Sequence, residues 1–491
     1  MSLNKQLFKY LEANAAKFKT KIAFLDVSMN VSWSEVFLLV LNLTDKLEQE
    51  FPFKDKSDQN NGIVIKGDGT VSHILMIFAL VLSNRTYIPY NRTLDRSPNN
   101  PFRDFPIVTI LQNEIWYLDT KWEINHIKEK KPFENHILDA KEVVSAFYYT
   151  SGTTGTPKAI ANSNSNIFRG ALYVIEALDL KNEDKIAGTL LLDFDYGVNQ
   201  IFCSLVLGAT YISCPFSSST TNWLKMIENN EATVVPAMPF LIESYFPKKS
   251  LQPVHSVRLC TSSGAPFTRE HAACVEALFP NAEIVPMYGL SEGFRATIMP
   301  PGEYKARPDS VGKPIGDTEI RIVNENLEKC SALEIGEILQ GSGCISWGYY
   351  RDQLATDHKF IRDRDFPNRL WVRSGDLGYL DEDGFLYIKG RVEFQIKLYG
   401  IRISIDEIES AYKMVPGIIN AVVIPMSVNE TESDFAVGIV IGLPLEEIHN
   451  NLRMVPKEYR TKELKVIPEV IGNYNGGKPD RNANRSAYFN D

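Results

Sequence analysis

Apolar and polar positions alternate along this chain in blocks whose period changes from one region to the next. Residues 1–50 carry apolar positions at helical spacing around one short apolar run at 22–26, which predicts amphipathic helices flanking a strand. Residues 51–61 (FPFKDKSDQNN) are polar and predict a loop. GIVIKGDG at 62–69 predicts a buried strand ending in a turn, and HILMIFALVLSN at 73–84 predicts a helix. The alternation returns at 172–178 (LYVIEAL), 185–192 (KIAGTLLL), 200–213 (QIFCSLVLGATYIS) and 233–245 (TVVPAMPFLIESY). Strands alternating with helices predict βαβ units and a mainly parallel sheet, since parallel neighbours need a crossover.

The texture changes after about residue 330. EIGEILQGSGCISWGYY (334–350) and WVRSGDLGYLDEDGFLYIKGR (371–391) read as short strands broken by Gly and Asp turns, with DEDG (381–384) a hairpin signal. ISIDEIESAYKMVPG (403–417) predicts a helix, with Asp406, Glu407 and Glu409 in its first turns, where the helix dipole favours negative charge. INAVVIPM (419–426) and FAVGIVIG (435–442) predict strands. The expected organisation is a core of mixed and parallel sheets at 1–390, a boundary at 391–394 and a small α+β module at 395–491, so α/β and α+β together.

Composition leaves this picture standing and removes others. Of 491 residues, 44% are hydrophobic and 23% charged, as in an ordinary folded protein. The 52 basic and 61 acidic residues give a net charge of −9 with no basic block, which argues against non-specific nucleic-acid binding. The longest apolar run, 74–82, is far short of the ~18 residues that span a bilayer, so no membrane span is expected. The N-terminal stretch MSLNKQLFKYLEANAAKF lacks the apolar block of a signal peptide, and the expected location is cytoplasmic. Cys203, Cys214, Cys260, Cys274, Cys330 and Cys344 form no C-x-x-C pair and have no His at ligand spacing, so buried free thiols are expected rather than a zinc site.

Four stretches could carry chemistry. The first is YTSGTTGTPK (149–158), where an apolar run (143–149) enters a loop of small and hydroxyl residues ending at Lys158. Backbone N–H groups can approach an anion closely there, and Lys158 adds a point charge. A Walker A loop would need Gly before the lysine and Ser or Thr after it, whereas Pro157 and Ala159 stand there. The second is YGLSE (288–292), which with Gly293 also spells the G-x-S-x-G of a hydrolase elbow around Ser291; only His358 and His449 follow it. The third is SGDLG (374–378) followed by YIKGR (387–391), where an Asp in a Gly-flanked turn could accept two hydrogen bonds from a diol. The fourth is NGGKPDR (475–481), with Lys478 on a Gly-Gly loop. Alone, each reads equally as a solvated turn, a chance pentapeptide, a hairpin Asp or a frayed tail.

Together, in this order and spacing over nearly the whole chain, they resemble the adenylate-forming superfamily of acyl-CoA synthetases, peptide-synthetase adenylation domains and luciferases. The stretch GRVEFQIKLYGIR (390–402) is similar to that of stand-alone D-alanine–carrier protein ligases. The resemblance implies a phosphate loop at Thr150, Ser151, Gly152, Thr153, Thr154, Gly155 and Lys158 for ATP. It implies adenine contacts from Ser263, Gly264, Ala265 and Tyr288, with Gly289 and Ser291 beside them. It also implies a Mg²⁺-coordinating Glu292, a ribose-binding Asp376 helped by Arg391, a catalytic Lys478, and a hinge at Glu393 about which the C-terminal module turns. The implied chemistry is attack of a carboxylate on the α-phosphorus of ATP, with pyrophosphate leaving, then transfer of the acyl group to a thiol.

By the same resemblance, Asp195 in FDYGV (194–198) pairs with a substrate ammonium group, although it could also cap the next helix. The other pocket positions are Tyr196, Asn199, Pro236, Cys260, Ser262, Met287, Arg295 and Ala296. Tyr196, Met287 and Arg295 are bulky, so glycine or alanine is the expected substrate, while Arg295 leaves open an acidic or β-amino acid. No carrier segment follows Arg481, so the expected acceptor is the phosphopantetheine of a separate carrier protein, with free CoA as the alternative.

Overall fold

The structure is a computed structural model that describes residues 3–52, 61–90, 100–103, 105–117, 120–122, 144–150, 158–214, 220–243, 252–362, 369–392, 395–398, 401–428, 433–461, 463–472 and 481–489. The chain divides into two units, Met1–Glu319 with Gln340–Val372, and Ile320–Leu339 with Arg373–Asp491.

Two sheets carry the first unit. One has the order Lys313–Pro314, Phe294–Ile298, Glu283–Leu290, Leu259–Ser262, Val234–Ala237, Lys185–Gly188, Thr210–Ser213, Ile22–Leu25, Asn30–Ser32 among the described residues. From Glu283–Leu290 to Ile22–Leu25 neighbouring strands are parallel, and antiparallel strands close both edges. The strands Thr210–Ser213, Val234–Ala237 and Leu259–Ser262 are buried at every position. Parallel strands covered on both faces fall in apolar-rich stretches, which makes Thr210–Ser213 and Val234–Ala237 legible, whereas Leu259–Ser262 (LCTS) is too short and mixed to stand out. Between the paired runs lies the helix Asp195–Leu207, which Gly208 ends in a left-handed conformation (φ +68°). A Cβ at Gly208 would sit 2.3 Å from the Phe18 ring.

The second sheet runs Thr120–Trp122, Glu114–Tyr117, Ile107–Leu111, Gly62–Lys66, Thr86–Pro89, Val144–Thr150, Lys158–Ser163. Beside it the helix Val71–Leu82 is buried along its whole length, as an all-round apolar helix must be. Thr70 makes no side-chain cap; Asp26 does the work from a distance, accepting from Val71 N (2.9 Å) and Asn113 Nδ2 (2.8 Å). Burial raises the Asp26 pKa, but these bonds and those from Ser28 lower it further, so it stays below the ordinary value.

The second unit packs the helix Ile405–Lys413 on the strands Ile418–Val428 and Ser433–Ile441, which pair antiparallel, with Glu463–Val466 parallel to the latter. Two expectations are corrected. Residues 403–404 belong to the strand Ile401–Ser404, not to the helix, because β-branched residues pair there with Gln395–Leu398. In 334–350 only Gly336–Gly341 forms a strand; the rest is irregular chain with turns at 343–344 and 350, apart from an isolated bridge between Tyr349 and Ile160. The six cysteines are free, but Cys274 and Cys330 are partly exposed rather than buried. Among the described residues no helix is long and apolar enough to cross a membrane.

Candidate active site

In open α/β sheets, ligands gather at the carboxyl ends of parallel strands. Several sequence-predicted positions fall on or directly after such ends. Pro236 lies in Val234–Ala237, and Cys260 and Ser262 in Leu259–Ser262, with Ser263, Gly264 and Ala265 next. Met287, Tyr288 and Gly289 end Glu283–Leu290, and Asp195 opens the helix that follows Lys185–Gly188. Gly264 is left-handed (φ +93°), and a Cβ there would lie 2.8 Å from Met238 Cε. Pro236 accepts a hydrogen bond from the Thr189 hydroxyl through its carbonyl, and Ala296 is fully buried.

Asp195 is the first residue of its helix; Phe194 precedes it and supplies no side-chain cap. Backbone N–H groups at the helix start favour the charged form of the Asp195 carboxylate. It is 6% exposed, and its Oδ2 lies 3.3 Å from Arg295 Nη1. Burial pushes its pKa up, Arg295 pulls it down, and Glu292 pushes it up again; the net shift is upward. The Arg295 guanidinium lies over the Tyr196 ring (4.1 Å), and the Tyr196 hydroxyl meets Thr261 Oγ1 at 2.8 Å. Asn199 lies one turn along the same helix, with its Oδ1 accepting from Cys203 Sγ.

Glu292 stands between two antiparallel strands, Glu283–Leu290 and Phe294–Ile298. Its carbonyl accepts from Ser346 N (2.8 Å), and Gln340 Nε2 donates to the Gly293 carbonyl (2.7 Å). A Cβ at Gly293 would sit 2.8 Å from the Gln340 amide and displace it. The buried Glu292 carboxylate accepts from the Tyr349 hydroxyl at 2.6 Å and has Lys359 Nζ at 3.9 Å. Both contacts fall on Oε1. Burial and Glu292 push the Tyr349 phenol far up, which keeps it a protonated donor. Lys158 opens the strand Lys158–Ser163 opposite Thr150, with Nζ over the Tyr349 ring at 5.2 Å and 3.8 Å from Asp352 Oδ2. Lys158 and Glu292 thus share Tyr349 as a neighbour.

In the second unit, Asp376 and Arg391 face each other across the Leu370–Leu380 and Leu386–Arg391 hairpin. Arg391 Nε lies 2.7 Å from Asp376 Oδ1, and Asp376 N donates to Ser374 Oγ. Gly375 between them is left-handed (φ +74°). Ser151, Gly152, Thr153, Thr154, Gly155, Glu393 and Lys478 lie outside the described residues, as does the side chain of Thr150.

The elbow reading of Ser291 fails. An elbow needs a strand-to-helix turn, and Ser291 lies between two antiparallel strands. Tyr349, Asp352, Lys359 and Gln340 were missed. The segment 347–350 bonds to the strand Lys158–Ser163 through Trp347, Tyr350 and the Gly348 carbonyl, a long-range pairing with no local pattern. Tyr349 and Tyr350 suit a strand, but nothing local in GYYRD (348–352) names the distant strand they pair with.

The family model described as AMP-binding enzyme matches residues 104–350. Bacitracin synthase 1 of Bacillus licheniformis is 26% identical over 72% of this chain and 7% of its own length. Tyrocidine synthase 1 of Brevibacillus parabrevis is 24% identical over 86% of this chain and 39% of its own, so the chain spans well under half of either relative. The structure of O-succinylbenzoate coenzyme A synthetase from Bacillus subtilis, in complex with ATP and magnesium, aligns with a TM-score of 0.78 at 20% identity, covering 96% of this chain and 98% of that one. With the motifs in order, the site residues at the strand ends and half of its length matched by one family model, this chain belongs to the AMP-binding enzyme family of the adenylate-forming superfamily.

Proposed function

We propose that this chain activates an amino acid in the cytoplasm. The amino-acid carboxylate attacks the α-phosphorus of ATP and pyrophosphate leaves, giving an aminoacyl-AMP; the phosphopantetheine thiol of a separate carrier protein then attacks the acyl carbon, loses its proton and forms a thioester as AMP leaves. The observation that carries this reading is Asp195, a buried carboxylate at a helix start whose pairing with Arg295 at 3.3 Å does not offset the cost of burial, so that a substrate ammonium group would stabilise its charge. Bulky and buried Tyr196, Met287 and Arg295 favour a small substrate.

Two anions must meet in this reaction, so charge and position matter more than proton transfer. Lys158 and the loop 150–155 cradle the phosphates, Ser263, Gly264, Ala265, Tyr288, Gly289 and Ser291 border the adenine, and Asp376 with Arg391 receives the ribose. Lys478, carried by the module at 395–491 beyond a hinge at 391–394 that includes Glu393, supplies charge at the α-phosphate. The oxygen-only donor at Glu292 fits a hard cation, because Tyr349 and Lys359 meet Oε1, and Oε2 has no hydrogen bond or ion pair among the described residues. Bound Mg²⁺ would supply charge neutralisation on the triphosphate.

ATP–pyrophosphate exchange with a panel of acids tests the first step, and incubation with a holo-carrier protein or with free CoA tests the second. Exchange that depends on an amino acid, followed by loading of the carrier, supports the reading. A second reading, an acid–CoA ligase, draws on the Asp195–Arg295 pair: with Asp195 already neutralised, an acid lacking an amine meets no uncompensated carboxylate. Release of a free acyl-CoA from an amine-free acid would favour that reading.

A further inference from the structure

Asp195 is already engaged. Arg295 reaches it from 100 positions away, and both side chains are less than a tenth exposed. The backbone aims Arg295 there. Phe294 is buried in a left-handed conformation (φ +58°), which a bulky residue adopts only when its surroundings enforce it. A register shift at Tyr288/Gly289 sets Arg295 opposite Gly289, whose missing Cβ admits the Phe294 carbonyl and Arg295 Cα.

The pair uses one arm of the guanidinium. Nη2 is buried and has no hydrogen-bond partner among the described residues. The same holds for Asn199 Nδ2 and for the Tyr148 hydroxyl. Two of these donors are tied to Phe294, the residue that precedes Arg295: a Cβ at Gly170 would meet the Phe294 ring at 3.2 Å and Asn199 Nδ2 at 3.6 Å, and the Tyr148 ring meets Phe294 edge-on at 6.3 Å. Burial keeps Tyr148 protonated, so it too can donate. Three unpaired donors, one of them charged, call for an anionic acceptor.

From this geometry we infer that the substrate is a small acidic amino acid, with its ammonium group on Asp195 and its second carboxylate on Arg295 Nη2, beside Asn199 Nδ2 and the Tyr148 hydroxyl. The inference rests on the amino-acid-activating reading above and moves its substrate from glycine or alanine to the aspartate class. Arg295 and Asp195 cancel, and so do the ammonium and the second carboxylate, so four charges alternate and none is buried alone. Glycine or alanine would bring the ammonium only, leaving Nη2 unpaired and a net positive charge beside the pair once its carboxylate is joined to AMP as a mixed anhydride.

The test is ATP–pyrophosphate exchange by the full chain with aspartate, glutamate, their amides, glycine, alanine and succinate. Aspartate or glutamate is expected to exceed its own amide at least tenfold in kcat/KM. Arg295→Met is expected to bring that ratio near one, with the loss carried by KM, while Arg295→Lys, which keeps the charge, retains part of the preference even should the methionine variant fold poorly. Glycine, alanine or an amide as best substrate, or an acid-to-amide ratio unchanged in the folded variants, overturns the inference and leaves amino-acid activation standing. Succinate as best substrate, or no exchange with any acid, overturns both.

Discussion

Tyr349 holds one oxygen of Glu292 by a hydrogen bond to a charged acceptor, a type worth about 1.5–3 kcal/mol. Tyr349→Phe is therefore expected to slow adenylation about tenfold or more and to raise the Mg²⁺ concentration needed for half-maximal exchange; an unchanged Mg²⁺ titration would separate Tyr349 from Glu292. His73 offers a test of stability. Its Nδ1 accepts from Gly69 N and its Nε2 meets the Tyr87 hydroxyl, and burial lowers its pKa to about 4. Above the unfolded value of 6.5 it has no effect. As pH falls from 6.5 toward 4, the unfolded chain takes up a proton that the folded chain refuses, so stability is lost, by about 3 kcal/mol in total. Asp193, pushed up to about 6 by burial, works the other way over the range from 6 to 3.8, because the folded chain protonates first and gains stability. Comparing His73→Gln with the parent cancels Asp193. Urea unfolding at pH 7.5 and 4.5 should show the variant losing about 2–3 kcal/mol less than the parent, and equal losses would contradict a neutral buried imidazole.

Elements were legible where burial dictates composition. The strands Thr210–Ser213 and Val234–Ala237 and the helix Val71–Leu82 fall in stretches dense in apolar residues, since no face of them meets water. Short and irregular elements were not, because the bonds that fix them come from distant residues: the segment 347–350 is ordered by the strand Lys158–Ser163, and that pairing delivers Tyr349 to Glu292. The site shows the same division. Asp195, Glu292 and Lys158 could be read from motifs, whereas the Asp195–Arg295 pairing depends on the left-handed Phe294 and could not. Glu409 was expected to act through the dipole of its helix. Instead it is buried, accepting from Val423 N (2.9 Å) and from Arg481 Nη2 (2.9 Å), and so fastens the helix Arg481–Tyr488, three residues beyond Lys478, to the helix Ile405–Lys413. Breaking a buried pair on one side costs about 3–5 kcal/mol. Glu409→Gln should accelerate amide exchange in the strand Ile418–Val428 by a matching factor, and a change under about 1 kcal/mol would show that the pair holds little.

At the scale of the whole molecule, the positions proposed for phosphate, metal and amine belong to the first unit, and those proposed for ribose to the second. Removing one charge aimed at a developing negative charge typically costs ~10²–10³ in rate. Lys478→Ala is expected to lose about that much pyrophosphate exchange while still binding ATP; a normal rate would remove Lys478 from the first step. The proposed receiver of the amine, Asp195, belongs to the first unit. The most direct measurement is amino-acid-dependent ATP–pyrophosphate exchange by the parent chain and by Asp195→Ala, each confirmed as folded. The account predicts exchange with an amino acid that falls at least tenfold in the variant, whereas equal exchange by the two proteins, or exchange supported only by acids without an amine, would contradict it.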